Sequence, residues 1–291
     1  MRITPWIVLL AGCTPVVIST DDPTDKAGDA DTDTDSDTDS DTDTDTDTDS
    51  DADTDVGYCP AQPDPVGPWD DHPIAVAGAG ITREPYTFDA GVGAVRDAAV
   101  GQTTAVTVSL PVTGAIVTAR DYVPAVPTDN TVSFWFEDAN GPMFAFRVDI
   151  GMDPNNLQPG DEVSFVVEQV QDYFGTLEVA GDAVAGIPGI SGFTIDSSGN
   201  DVHVVDAMAG GPLSWADDGM YTVEVWGQLV AGPTDCGANC WDLDYNGSIV
   251  TFRSGSSYDY LGDCIHFIGP LTQFGGIEQL DAGDFDWYDY F

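Results

Sequence analysis

One motif is written twice. The first copy reads Phe134-Trp135-Phe136-Glu137-Asp138-Ala139-Asn140-Gly141 and, after four residues, Phe146-Arg147. The second reads Cys240-Trp241-Asp242-Leu243-Asp244-Tyr245-Asn246-Gly247 and, after four residues, Phe252-Arg253. Trp, Asn-Gly and Phe-Arg fall in register without a gap. Upstream, Val112-Thr113-Gly114-Ala115-Ile116-Val117 matches Val225-Trp226-Gly227-Gln228-Leu229-Val230. Downstream, Gly160-Asp161-Glu162-Val163-Ser164-Phe165-Val166 matches Gly262-Asp263-Cys264-Ile265-His266-Phe267-Ile268, and Phe174-Gly175 matches Phe274-Gly275. Self-similarity that keeps its order means one structural unit used twice, so the body is limited to folds that one copy can close.

Each copy reads as five strands. A long first strand carries a Gly (Gly114, Gly227), which marks a bulge or bend. Strands two and three form a hairpin at Asn-Gly, the strongest short hairpin signal. A loop follows, with Pro154 and Pro159 in the first copy; strand four starts after Gly-Asp, and strand five follows Phe-Gly. Five strands with a kinked first strand resemble the OB-fold, a small Greek-key barrel. An immunoglobulin-like sandwich wants about seven strands per copy. The expected fold class is all-β: two tandem five-stranded OB-fold-like Greek-key barrels, at 104–182 and 220–291, after a disordered acidic linker. Residues 57–103 form an N-terminal extension and 183–219 a connector, either of which has room for a small helix or strand before its barrel.

Strand alternation sorts the hairpin faces, given a two-residue turn at Asn-Gly. In the second copy Trp241, Leu243, Val250 and Phe252 share one face, expected to be the interior. Asp242, Asp244, Thr251 and Arg253 share the other, with Ile249 the exception. By register, Trp135, Phe144 and Phe146 are interior in the first copy, and Phe134, Phe136, Met143 and Arg147 are outside. OB-folds bind ligands on that outer face, and aromatic rings with an Arg suit stacking on a base or sugar. Exposed apolar patches are usually covered, so the competing expectation is that the extension or the second copy packs over these residues.

The N-terminus adds a second layer. Met1-Arg2, an apolar run from Ile3 to Leu10 and small residues before Cys13 read as a secretory signal, too short for a spanning helix. Leu10-Ala11-Gly12-Cys13 resembles the lipobox of bacterial lipoproteins. The resemblance implies a signal peptide at 1–12, a lipidated Cys13 as membrane anchor and, because Thr14 rather than Asp follows, the outer membrane as destination. Several acyl chains give stable anchoring. From Asp31 to Asp55 Asp alternates with Thr, Ser or Ala. Such a segment cannot bury enough surface to offset its ordering entropy, and its like charges extend it. Residues 13–56 therefore read as anchor plus spacer, with a reach of about 140 Å.

The chain holds 51 acidic residues against 7 basic ones. Without the leader and spacer, 34 acidic residues and five scattered arginines remain, a net charge near −29. Phosphate neutralisation needs clustered Lys/Arg, so nucleic acid is not an expected partner. Asp242, Asp244, Asn246 and Gly247 begin an EF-hand pattern, but Arg253 stands where its final Glu belongs, and a hairpin turn is the better reading. His72, His203 and His266 show no metal-ligand spacing. No metal, cofactor or catalytic constellation is expected. Beyond Cys13, Cys59, Cys236, Cys240 and Cys264 suggest two disulfides in an exported protein. Three connectivities are open; a local Cys236–Cys240 clip would leave Cys59 with Cys264. The aromatic-acidic tail reads as a final strand or strap. The expected function is a non-catalytic binding or structural module displayed on the spacer for an unnamed envelope or extracellular ligand. An OB-type binder of oligosaccharide or single-stranded nucleic acid is the alternative, and an unrecognised hydrolase the second.

Overall fold

A computed structural model describes Cys59 and residues 90–121, 127, 129–181, 187–235, 239–254, 258–283 and 288–290. The expected leader, Cys13, the spacer, His72 and Cys236 lie outside the described residues. The described chain begins its regular structure with helix α1 (Gly91–Ala99) and five strands: β1 (Val106–Arg120), β2 (Thr131–Asp138), β3 (Gly141–Asp149), β4 (Glu162–Tyr173) and β5 (Thr176–Ala180). Then come β6 (Ile190–Ser197), β7 (Val204–Asp206) and the short helices α2 (Ala207–Gly210) and α3 (Trp215–Asp218). The last group is β8 (Thr222–Asp235), β9 (Asn239–Tyr245), β10 (Ser248–Ser254), β11 (Cys264–Phe274), β12 (Ile277–Gly283) and β13 (Tyr288–Tyr290).

The first five strands run in the order β1-β2-β3-β5-β4, and β4 pairs back onto β1, which closes a barrel. β3 and β5 are parallel, and the other neighbours antiparallel. β8 to β12 repeat this arrangement: β8-β9-β10-β12-β11, closed by β11 on β8, with β10 and β12 parallel. The body is thus two closed five-stranded OB-fold-like barrels. Closure removes the exposed edges that a five-stranded sheet would otherwise present.

The duplication reaches further than five strands. β6 adds to β4 through Val163↔Ile195, and β13 adds to β11 through Ile265↔Tyr290. Each barrel therefore carries a sixth strand on the same neighbour. Each also has a cap before its first strand. The buried Val92, Val95 and Ala99 of α1 join the core of barrel one, and Asp138 Oδ2 at the β2–β3 turn accepts from Val92 N at 3.0 Å. In front of barrel two, Leu213 N donates to Tyr245 Oη at 2.7 Å beside the β9–β10 turn, and Trp215 N donates to Glu278 Oε1 at 2.8 Å. The extension and the connector thus do the same work.

The gapless alignment of the two hairpins, by contrast, is off by one residue in space. Val117 N donates to Asp161 O and Gly160 N to Val117 O; the same pair of bonds joins Leu229 to Asp263 and Gly262. Val117 is therefore the counterpart of Leu229, not of Val230. The extra residue in β1 is taken up by a bulge between Val112 and Ala115, where Gly114 sits at φ 65°. β8 has no bulge there; a Cβ on Gly227 would lie 2.1 Å from Asp244 O, so its glycine serves a close backbone approach instead. Val117 faces Phe136 and Leu229 faces Leu243 across their strand pairs. The hairpin turns differ to match: Asn246-Gly247 forms the second turn, but Ala139-Asn140 forms the first, with Gly141 already in β3.

A one-residue slip moves every side chain to the other face. The expected interior set Trp241, Leu243, Val250 and Phe252 is buried in barrel two. In barrel one the sorting is inverted. Phe134, Phe136 and Met143 are 0% exposed. They lie on the inner face with Val117, Ala145, Val179 and Val170. Phe165 packs edge-on against Phe136 at 5.2 Å, and β6 contributes Phe193, 6.0 Å from Phe134. Trp135, Phe144 and Phe146 are the outward ones. Arg147 is exposed at φ 49°, where the β2–β3 register shifts and its N–H donates to Ser133 Oγ.

A disulfide joins Cys59 to Cys264, with Cα atoms 5.5 Å apart. Cys240 is also disulfide-bonded.

Candidate ligand surface

The outer face of barrel one is built on a cross-strand row. It runs Trp135–Phe144–Glu178–Gln171 through β2, β3, β5 and β4. Trp135 stacks on Phe144 at 4.4 Å and 24°, and Phe146 follows at 6.1 Å. Exposure rises along this strip, from 3% at Trp135 to 40% at Phe146. Beyond it lie the pairs Glu137–Pro142 and Tyr173–Thr176, and other parts of the chain engage Glu137, Pro142 and Thr176. His203 Nδ1 lies 3.2 Å from Glu137 Oε1, Arg96 Nη1 donates to Pro142 O at 2.6 Å, and Thr176 Oγ1 donates to Gln273 O in barrel two. α1, the connector and barrel two therefore cover that side of the face, which is the covering the sequence pointed to, over a different set of residues.

Glu178 is 3% exposed and accepts from Gln171 Nε2. Burial raises its pKa from 4.5 to about 7, against the opposing pull of the Gln171 bond. Burial likewise raises Glu137, opposed by His203. Between pH 4.5 and 7 folded Glu178 keeps a proton that the unfolded chain has released, so this group makes stability fall as pH rises through that window. Glu178→Gln is expected to remove about 3 kcal/mol of pH dependence. Urea unfolding at pH 5 and pH 8 checks this: the wild type loses more stability between the two than the variant does.

The β4–β5 and β11–β12 hairpins bring a second aromatic group together. Thr176 Oγ1 on Gln273 O ties one tip to the other. Tyr173 and Phe174 meet edge-on at 4.8 Å, and Phe274 lies 5.7 Å from Phe174 and 6.4 Å from Tyr173. This group is in solvent: Tyr173 is 47%, Phe174 63%, Phe274 52% and the neighbouring Ile277 56% exposed.

The turn chemistry makes Phe174 stand out. Phe274 and Ile277 pair across Gly275-Gly276, whose φ values are 60° and 83°. Tyr173 and Thr176 pair across Phe174-Gly175, at 52° and 97°. Phe174 thus occupies the left-handed slot that its counterpart fills with Gly275. A bulky residue there is strained by roughly 1–3 kcal/mol. Asp172 Oδ1 accepts from Gly175 N at 2.9 Å and holds the turn. In the sequence Phe174-Gly175 and Phe274-Gly275 served only to mark where strand five begins; a Phe directly before Gly at a hairpin tip was the signal available.

The other sequence candidates have structural roles. Asp242 and Asp244 lie on β9, and Gly247 N donates to Asp244 Oδ1 at 3.0 Å, so the EF-hand pattern is a β-hairpin turn. His266 is 2% exposed, with Nε2 2.9 Å from Glu224 Oε1. Among the described residues no group of three His, Cys, Asp or Glu is placed to hold a metal ion.

No protein-family model and no curated protein matches the chain. Solved structures do. The tetrameric p202 HIN2 is 8% identical, over 66% of this chain and 95% of that chain, with a TM-score of 0.33. The Ifi202 HINa domain in complex with 20-base-pair double-stranded DNA is 11% identical, over 61% and 95%, with a TM-score of 0.30. The p202 HIN1 in complex with 12-mer double-stranded DNA is 11% identical, over 66% and 98%, with a TM-score of 0.32. Two of these neighbours were solved on double-stranded DNA, which runs against the expectation that left nucleic acid out of the partners; that expectation rested on a charge summed over the body and not on a local surface. At these identities and TM-scores the likeness assigns no ligand to this chain. The barrels rest on their own strand pairing, and the joined pair of hairpin tips is a candidate surface.

Proposed function

We propose that this chain is a lipid-anchored, non-catalytic binding protein of the bacterial outer membrane, whose two OB-like barrels present one shared ligand surface on an acidic spacer. The observation that carries the binding reading is Phe174: a ring that is 63% exposed and held in a left-handed turn position whose counterpart is Gly275. Folding alone favours glycine there, and strain kept at an exposed loop points to use. The loop between strands four and five is also one of the places where OB-folds meet their ligands. The lipobox-like Leu10-Ala11-Gly12-Cys13 and the Asp/Thr spacer support the anchored arrangement.

Two measurements test this reading. Incorporation of labelled palmitate into the chain, with the protein in the outer-membrane fraction, is expected for the wild type and lost in Cys13→Ala; a soluble wild type defeats the anchor. Phe174→Gly is expected to leave the unfolding free energy unchanged or raise it by up to about 2 kcal/mol, the strain relieved less the entropy cost of glycine. A loss of 2 kcal/mol or more would make the ring a structural element and remove the reason to assign it a ligand.

A further inference from the structure

The twin tips gather exposed aromatic rings on a body that is acidic throughout, and the inference rests on the binding reading above. Strands and turns of the two tips, residues 163–181 and 268–283, contain Glu168, Asp172, Glu178, Glu278 and Asp281 and not one Lys or Arg. Asp172 sits at the base of the first tip, bonded to Gly175 N and Gly101 N. Beside the turns stand the neutral Gln273 and Thr176, and Glu278, opposite Gln273, accepts from Trp215 N. Arg253 Nη1 is engaged by Asp281 Oδ1 at 2.8 Å, and Arg96 Nη1 is turned inward onto Pro142 O.

We infer that the Tyr173, Phe174 and Phe274 tips dock a basic peptide segment, with Arg or Lys side chains laid on the ring faces. The faces of aromatic rings carry negative partial charge and attract guanidinium and ammonium groups. The Asp172 carboxylate at the base of the first tip adds to this attraction, and a body of net charge near −29 steers cations toward it from a distance. The geometry selects a chain rather than a small cation. The ring centroids lie 4.8–6.4 Å apart with planes tilted by 43–88°, so the rings pack on one another into an uneven platform with no space for a cation between them. A small cation on a platform is left half in water, whereas a peptide places several cations on several rings and covers Ile277 with its stems.

Fluorescence anisotropy on the full chain tests this, with three labelled probes at low salt: nona-arginine, a β-glucan hexamer and dodecathymidine. The wild type is compared with Phe174→Gly/Phe274→Ala, whose folding is checked by its melting temperature. The spacer binds the arginine peptide equally in both proteins, so the difference reads the tips. The expected result is an affinity for nona-arginine about 10-fold weaker in the variant, from two lost cation–ring contacts. If the variant instead loses the glucan or the oligothymidine and keeps the peptide, the tips are a binding surface but the basic-peptide assignment is overturned. If no probe distinguishes the two proteins, both the assignment and the proposed surface fall.

Discussion

Phe136→Ala is expected to destabilise the chain by about 3–5 kcal/mol. The side chain is 0% exposed and packs against Phe165 at 5.2 Å and Phe134 at 5.6 Å inside barrel one. Removing it leaves a cavity lined by rings that the closed barrel holds in place, since strands hydrogen-bonded on both sides cannot collapse inward freely. Phe146→Ala is the control. Its ring is on the opposite face and 40% exposed, so its loss is expected to stay below about 1 kcal/mol. Urea unfolding of the two variants decides which face is the interior. Equal costs, or a larger one for Phe146, would restore the face assignment read from the gapless repeat.

Loss of the Cys59–Cys264 disulfide is expected to have a comparable or larger effect. The bond spans 205 residues, a loop that contains barrel one, the connector and the first three strands of barrel two. Closing so long a loop restricts the unfolded chain by about 5 kcal/mol in the chain-entropy account. For a body of this size that corresponds to a fall in Tm of roughly 10–20 °C. Cys59→Ser/Cys264→Ser, compared with the wild type by thermal unfolding, measures it without disturbing the bond at Cys240. A Tm within 2 °C of the wild type would show that the loop contributes nothing. The bond fastens Cys59 to the start of β11 and not to barrel one, which follows it in the sequence.

Much of the barrel plan was legible because it depends on local chemistry repeated in order. Gly-Asp before strand four is an example: in both copies the Asp side chain caps the loop, Asp161 through Gln158 N and Asp263 through Tyr260 N. Such bonds span three residues, so the residues that make them stay together in the sequence. The disulfide partner of Cys59 was one of several pairings the sequence allowed, because 205 intervening residues leave no local trace. The rings expected on the outer face of barrel one were misassigned for a related reason. Which face of a hairpin is the interior depends on counting residues from a distant strand, and one residue absorbed at Gly114 changes the count.

Taken alone, the sequence determined the two-barrel body, because alternation and turn residues act over a few neighbours and one copy could be checked against the other. The tertiary structure decided which rings of barrel one face inward, and it brought Tyr173, Phe174 and Phe274 together although about a hundred residues separate the two tips. Register and inter-barrel contact are set by how closed sheets pack, and packing is a property of the whole body that no window of the chain contains.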